Sequence, residues 1–503
     1  GDKINKLILD KHTENTGDVT PRISITVLDD QATEEEPIAD LFDKIKSKLV
    51  EKVGDFDYYD KYGAQLGKAS QTVELRIRNM LESSDSLSTE LGKFHDELKK
   101  VVNESVTKDE VIRVISQHVI LSRVFNALFS GEFTSYNPMS KVLNEIAGKF
   151  GLNEELEELE KDGFYDDVNK EVAGITTTTA RQEFIKKIYG NFFASTAKKE
   201  TEQHGVVYTP VEIIDFIIQS VEFLLHENYN SGFNNRAVKV LDPFAGTGTF
   251  LTRLLESGLI TDNLYEKYRN DLFANELILL AYYIATVNIE TTYSSLRKSG
   301  KYVPFDGMSY TDTLRMNPQY RQDERHRQEV QAFGSTFKTV HERIRNQRGA
   351  HVHVIIGNPP YSKGQSSYSD NNPNIVYPEI DTRIKNTYAV KSKVVLAISL
   401  YDSYVRSLRW ASDRLGKSGI IGFVTNGSFI NQTSFRGLRG HLVEEFNEIW
   451  CFDLRGNQRT QGEISRKEGG KIFGSGSRAP VAIIFLIKNP NKKTHTIHYK
   501  DIG

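Results

Sequence analysis

From about Phe184 onward, short apolar runs of strand type alternate with helical patterns, and this alternation limits the chain to a small set of folds. The strand-like runs fall at residues 238–241, 272–274, 352–356, 419–424, 448–453 and 481–487. Helical spacing fills residues 211–226, 276–290 and 394–414 between them. Parallel neighbours need a long crossover, and helices supply it. The pattern therefore predicts an α/β fold, a twisted and largely parallel sheet covered on both faces. Residues 1–180 read differently. Apolar residues recur three and four apart through 38–53, 73–98 and 111–128, with one short strand candidate at 22–28. The acidic run 154–160 reads as a solvated helix face. The expected division is a mainly helical domain over 1–180 and an α/β domain over 181–503.

Composition narrows the chemistry. A single cysteine, Cys451, excludes internal disulfides and cysteine-ligated metal, which fits a reducing cytoplasm. It lies in Trp-Cys-Phe on a strand-like run, a core position rather than that of a nucleophile. No window approaches the ~20 apolar residues needed to span a membrane, and no basic, then apolar leader opens the chain. No Gly-x-x-x-x-Gly-Lys-Ser/Thr loop occurs, so no nucleotide-triphosphatase site is expected. The net charge of −3 hides an asymmetry: from Asp453 onward ten Lys and Arg stand against four acids. Taken alone, that segment is as consistent with a solvated face as with an anion-facing surface.

The local signals for a site begin at Val240-Leu241-Asp242-Pro243-Phe244-Ala245-Gly246-Thr247-Gly248-Thr249-Phe250. A buried strand runs into a glycine-rich turn, and a helix is expected to start near Thr249. Gly246 and Gly248 let backbone approach a ligand, and the helix start offers unpaired N–H groups. A phosphate loop would carry a lysine or wider glycine spacing. Here an acid, Asp242, ends the strand and suits a cationic ligand group. About thirty residues on, Glu276 ends the next strand-like run, where it could accept ribose hydroxyls or simply favour a helix N-terminus. Asp312, in Tyr-Thr-Asp-Thr-Leu, could accept from an exocyclic amine or merely shape a turn.

Val354-Ile355-Ile356-Gly357-Asn358-Pro359-Pro360-Tyr361 decides between these options. An apolar strand delivers Asn-Pro-Pro-Tyr to the edge where the glycine turn should lie. An exocyclic amine conjugated with an aromatic ring is a poor nucleophile. Two acceptors, the Asn358 side-chain oxygen and the Pro359 carbonyl, can hold its hydrogens and draw the lone pair out of conjugation. The prolines keep the carbonyl aimed, and Tyr361 offers a flat surface to a base swung out of a duplex.

The order of these elements resembles the gamma group of amino-methyltransferases, and hence a Rossmann-like S-adenosylmethionine-dependent methyltransferase sheet. The resemblance implies that Tyr208, Thr209 and Pro210, in Gly-Val-Val-Tyr-Thr-Pro, contact the methionine end of the cofactor. Asp242, Ala245, Gly246 and Gly248 correspond to its glycine motif, Glu276 to the ribose acid and Asp312 to the adenine-binding acid. Asn358, Pro359, Pro360 and Tyr361 correspond to the catalytic tetrad, acting by direct transfer to the N6 of a flipped adenine without a metal. The basic loop 455–478 and the stretch 117–138 are similar to single-polypeptide type I (type ISP) restriction–modification enzymes. That similarity implies a double-stranded DNA substrate. It also implies nuclease, helicase or translocase, and target-recognition domains in the same parent polypeptide, with this chain an internal coupler and methyltransferase piece. Arg455, Arg459, Arg466, Lys467, Lys471 and Arg478 would then meet phosphates, and Phe473 would lie near the flipped base. The alternatives are methylation of a protein glutamine amide, methylation of cytosine N4, and a non-catalytic coupler that senses cofactor.

Overall fold

Strands β1 (Val240–Asp242), β2 (Leu272–Glu276), β3 (Met308–Tyr310), β4 (Val354–Gly357), β5 (Gly419–Asn426), β6 (Glu448–Arg455), β7 (Val481–Lys488) and β8 (Thr496–Asp501) form one sheet. Its order is β3-β2-β1-β4-β5-β7-β6-β8. The computed structural model describes residues 56–102, 104, 106–128, 132–152, 209–297, 302–316, 337–360, 377–392, 398–458, 463, 468, 472 and 479–502. The chain divides into two compact units, Gly1–Tyr58 and Tyr59–Gly503, and nearly every described residue lies in the second.

β1 to β5 pair in parallel, β7 is antiparallel to both β5 and β6, and β8 is parallel to β6. β7 is thus the one described strand that opposes the rest. β4, β5 and β7 are buried at every residue, as strands covered on both faces must be. The strand order reverses at β1, so its carboxyl end and that of β4 flank the switch point where α/β sheets bind ligands. All six strands read from the sequence are present. β3 and β8 were not anticipated: β3 is three residues long, and β8 is exposed at every residue, with only Ile497 and Tyr499 as an apolar pair on one face.

Helix Val211–Tyr229 buries Ile214, Ile217, Ile218, Val221, Leu224 and Leu225, one stripe at helical spacing, and packs on β5. Helix Leu279–Leu296 is buried on nearly all sides, lying between β2 and β3 on one side and helix Lys108–Leu128 on the other. Three expected helices are corrected. The 73–98 pattern is broken at Ser84, which has extended backbone and accepts from the Leu87 N–H, ending Phe56–Ser83 and capping Asp85–Val101. The 276–290 helix begins only at Leu279, since Glu276 belongs to β2. The 394–414 helix begins at Ser403, capped by Asp402. The expectations at 22–28, 38–53 and 154–160 lie outside the described residues. No described helix is long and apolar enough to cross a membrane.

Candidate active site

At the end of β1 the backbone turns sharply. Gly246 and Gly248 have φ of +54° and +80°, the left-handed region that glycine adopts without a Cβ penalty. A Cβ on Gly248 would also meet the Ala285 backbone at 3.0 Å, whereas one on Gly246 would meet nothing within 4 Å. Helix Thr249–Glu256 starts directly behind, as its sequence predicts. The turn is tied to its neighbours by short hydrogen bonds. The Ala245 N–H donates to the Asn275 carbonyl (2.9 Å) and the Thr313 hydroxyl to the Pro243 carbonyl (2.6 Å). Asn275 Nδ2 reaches Thr313 Oγ1 (3.0 Å), and Asn288 Nδ2 donates to the Thr247 carbonyl (2.9 Å).

Glu276 forms the floor of this turn. One carboxylate oxygen accepts from the Gly246 N–H (2.8 Å), the other from the N–H groups of Leu277 and Ile278 (2.9 and 2.7 Å). Three backbone donors favour its charged form, yet burial outweighs them and pushes its pKa up to about 7. Asp242 is wholly buried. Oδ1 accepts from the Phe244 N–H (3.1 Å), while Oδ2 has no hydrogen-bond partner among the described residues. Burial, with a smaller contribution from the Glu276 charge, pushes its pKa up to about 8 against the pull of the Phe244 N–H. Gly357, the last residue of β4, permits this packing, since a Cβ there would lie 2.9 Å from Asp242 Oδ1.

Asp312 follows β3 and does what a turn aspartate does. Oδ1 accepts from the Leu314 N–H (3.0 Å), capping the short helix Thr313–Arg315. Its other oxygen accepts from the Tyr377 hydroxyl (3.2 Å), a partner 65 residues away that no local pattern announces. The guanidinium groups of Arg315 and Arg406 each lie 5.2 Å from the Tyr377 ring centre, which fixes that ring.

Asn358 leaves the carboxyl end of β4 half-buried, with Pro359 buried and Pro360 half-buried behind it. Its Nδ2 donates to Thr209 Oγ1 at 2.8 Å. Thr209 is 8% exposed and stands just before helix Val211–Tyr229, for which Pro210 is the N-terminal cap residue. Thr209, Asp242, Ala245, Gly246, Gly248, Glu276, Asp312, Asn358, Pro359 and Pro360 thus gather along one sheet edge. Tyr208, Tyr361, Arg459, Arg466, Lys467, Lys471, Phe473 and Arg478 lie outside the described residues. Arg455 does not join this edge as a free cation. Its guanidinium forms a two-pronged pair with Asp501 on β8 (2.8 and 2.9 Å). Cys451 is buried on β6, its thiol pushed up to about 12 by burial and the nearby Asp453.

Residues 58–180 match the type ISP restriction–modification enzyme coupler domain, and residues 180–393 match the N-6 DNA methylase family. Among solved structures, a nuclease-deletion mutant of the type ISP enzyme LlaGI in complex with a DNA substrate mimic is 38% identical over 93% of this chain, with a TM-score of 0.81. The ATP-dependent type ISP enzyme LlaBIII bound to DNA is 35% identical over 93% of the chain, with a TM-score of 0.82. The chain joins a type ISP coupler domain to an N-6 DNA methylase domain, and it is similar to that portion of type ISP restriction–modification enzymes. A DrdV–DNA complex is also similar, at 32% identity over 93% of the chain and a TM-score of 0.78. The chain spans 37%, 32% and 43% of those three proteins, respectively. No curated protein matches.

The type ISP coupler region reaches the site through its helix ends. The Thr311 hydroxyl donates to the Val101 carbonyl (2.8 Å) and the Asp312 N–H to the Val102 carbonyl (3.3 Å). These carbonyls close helix Asp85–Val101 and have no acceptor role left within it. Deeper in, His118 is held between Asn144 Oδ1 (2.9 Å) and the Tyr283 hydroxyl (2.8 Å). Burial lowers its pKa to about 4, so the ring is neutral, with Nε2 donating to Asn144 and Nδ1 accepting from Tyr283.

Proposed function

We propose that this chain is the methyltransferase and coupler portion of a type ISP enzyme and transfers a methyl group to the N6 of adenine in double-stranded DNA. S-adenosylmethionine would supply an electrophilic methyl carried on a sulfonium. The observation that carries the reading is Asn358 at the carboxyl end of β4, bonded to Thr209 and one residue past Gly357, which lies against Asp242 where the strand order reverses.

The residues present fit that cofactor. Asp242 has a buried oxygen without a described partner, as a site for an ammonium group would. The cation would restore the charged carboxylate that burial disfavours. Glu276 keeps acceptor capacity beyond its three backbone bonds, which suits ribose hydroxyls. Asp312 would face the adenine end, and Thr209, with Tyr208 and Pro210, the methionine end. On the substrate side, the Asn358 oxygen and the Pro359 carbonyl accept the two amine hydrogens, while Tyr361 stacks on the flipped base. Pro359 is buried, and the ring of Pro360 that follows restricts the backbone that carries its carbonyl.

The basic segment after β6 would meet DNA phosphates through Arg459, Arg466, Lys467, Lys471 and Arg478. Arg455 would first have to leave Asp501. The domain boundary is proposed at residue 180, where the two family matches meet. Nuclease, translocase and target-recognition functions are proposed for the rest of the parent polypeptide. In a polypeptide that contains this chain and methylates DNA, Asn358→Ala should lower single-turnover methyl transfer about 1000-fold while cofactor affinity stays within about threefold. Wild-type transfer in that variant removes the mechanism.

A further inference from the structure

We propose that Thr209 is a positioning residue for Asn358, holding the Asn358 amide in place for the target amine, rather than only a wall of the cofactor pocket. This rests on the reading that Asn358 accepts from the amine.

A carboxamide has two ends of nearly equal shape and opposite polarity. If its oxygen meets the amine, the amine hydrogens are held and the lone pair is freed. If the amide turns over, N–H meets N–H, and the amine is repelled where it should be held. The Asn358 backbone does not select between these orientations, because a half-turn of the terminal torsion costs little. In the structure the nitrogen donates to Thr209 Oγ1 at 2.8 Å, which turns the oxygen away from Thr209. A hydroxyl can donate as well as accept, so what this bond supplies is a fixed place for the amide beside Thr209.

The anchor is firm enough for this work. Thr209 is nearly buried and leads straight into helix Val211–Tyr229. That helix packs on β5, with methyl carbons of Val221 and Ile217 at 3.0 and 3.2 Å from where a Gly422 Cβ would sit. Its far end is fastened as well, by the Tyr229 hydroxyl donating to the Lys488 carbonyl (2.5 Å) and accepting from the Gly419 N–H (2.9 Å). β5 is also the strand paired with β4, which carries Asn358. Donor and acceptor are therefore mounted on two elements that share one strand, and their spacing is set by core packing.

The test uses Thr209→Val, which keeps shape and removes the oxygen, and Thr209→Ser, which keeps the oxygen. Single-turnover methylation of a DNA duplex is measured at saturating cofactor and DNA, with cofactor affinity measured separately by calorimetry. The Val variant should lose about 10- to 100-fold in rate at saturating cofactor, over and above any loss of cofactor affinity, and the Ser variant should recover most of the rate. In an Asn358→Ala background, Thr209→Val should add little, because the residue it positions is gone. A full rate in Thr209→Val at saturating cofactor, or a loss confined to cofactor affinity, overturns the proposal. Equal losses in the Val and Ser variants also overturn it. If Asn358→Ala itself methylates normally, the underlying reading fails instead, so the two failures are told apart.

Discussion

Two stretches of the same sheet edge are built from different materials. The wall made by the β1 turn and Glu276 is closed by bonds with a backbone group at one end: the Gly246, Leu277 and Ile278 N–H groups on one carboxylate, Ala245 on the Asn275 carbonyl, and the Pro243 and Thr247 carbonyls under Thr313 and Asn288. The proposed catalytic position is closed by a side chain on a side chain, Asn358 on Thr209. Backbone donors are supplied by any residue type, so the first stretch is sensitive to added atoms and strained φ. The second depends on two functional groups and tolerates their loss structurally. One edge therefore separates into a part where substitutions cost folding and a part where they cost chemistry.

The largest contrast is between Asn358→Ala and Gly248→Ala. The first should remove about three orders of magnitude of methyl transfer with unfolding midpoints nearly unchanged. The second forces a Cβ at φ +80° onto the Ala285 backbone and should cost about 2–4 kcal/mol in denaturant unfolding. Gly246→Ala sharpens the point. Its φ is also positive but its Cβ meets nothing within 4 Å, so about 1 kcal/mol is expected. Equal losses at the two glycines would break the argument from close approach.

A pH series separates the two carboxylates from the rest of the edge. Asp242 and Glu276 have pKa values raised to about 8 and 7, so folding favours their protonated forms. Their contribution is complete below the unfolded carboxylate value and is lost as pH rises through 7 to 8. Asp242→Asn removes one of these protons. Its stability relative to wild type, followed by denaturant midpoints from pH 5 to 8 without cofactor, should therefore rise with pH, by at most ~1.4 kcal/mol per unit. A flat difference contradicts the buried, uncompensated carboxyl. The smallest effect is expected at Thr311→Val, which leaves the Val101 carbonyl without its hydroxyl donor and should cost about 1 kcal/mol. A larger drop in cofactor affinity than in stability there would show that the coupler helix end shapes the Asp312 wall.

Much of this edge is legible in the sequence, and the reason is local. The glycine turn, the acids ending β1 and β2, and Asn-Pro-Pro at the end of β4 are each encoded within a few consecutive residues. Six strands are equally legible: burial on both faces leaves unbroken apolar runs in β4, β5 and β7, while β1, β2 and β6 carry apolar stretches that run into acids. What escapes is encoded by distance. Tyr377 reaches Asp312 across 65 positions and Thr313 reaches Pro243 across 70, and neither carries a periodic signal. Thr209 was legible as part of a motif, but its bond to Asn358, 149 positions on, was not. β8 escapes for the opposite reason: it is exposed at all six residues, and its one alternating pair, Ile497 and Tyr499, is too short to mark a strand. The Ser84 break shows a third limit: apolar spacing runs smoothly through a residue whose hydroxyl caps the next helix.

The register of β6 against β7 has one more consequence. Arg455 pairs with Val481 in the ladder, so the segment between them departs from and returns to adjacent rungs. Lengthening a loop whose ends are already held together costs only ~0.6 kcal/mol per doubling. Added length between these two rungs therefore costs the sheet beneath little entropy, and on the proposed function such additions would refit the core to new duplex partners without refolding it.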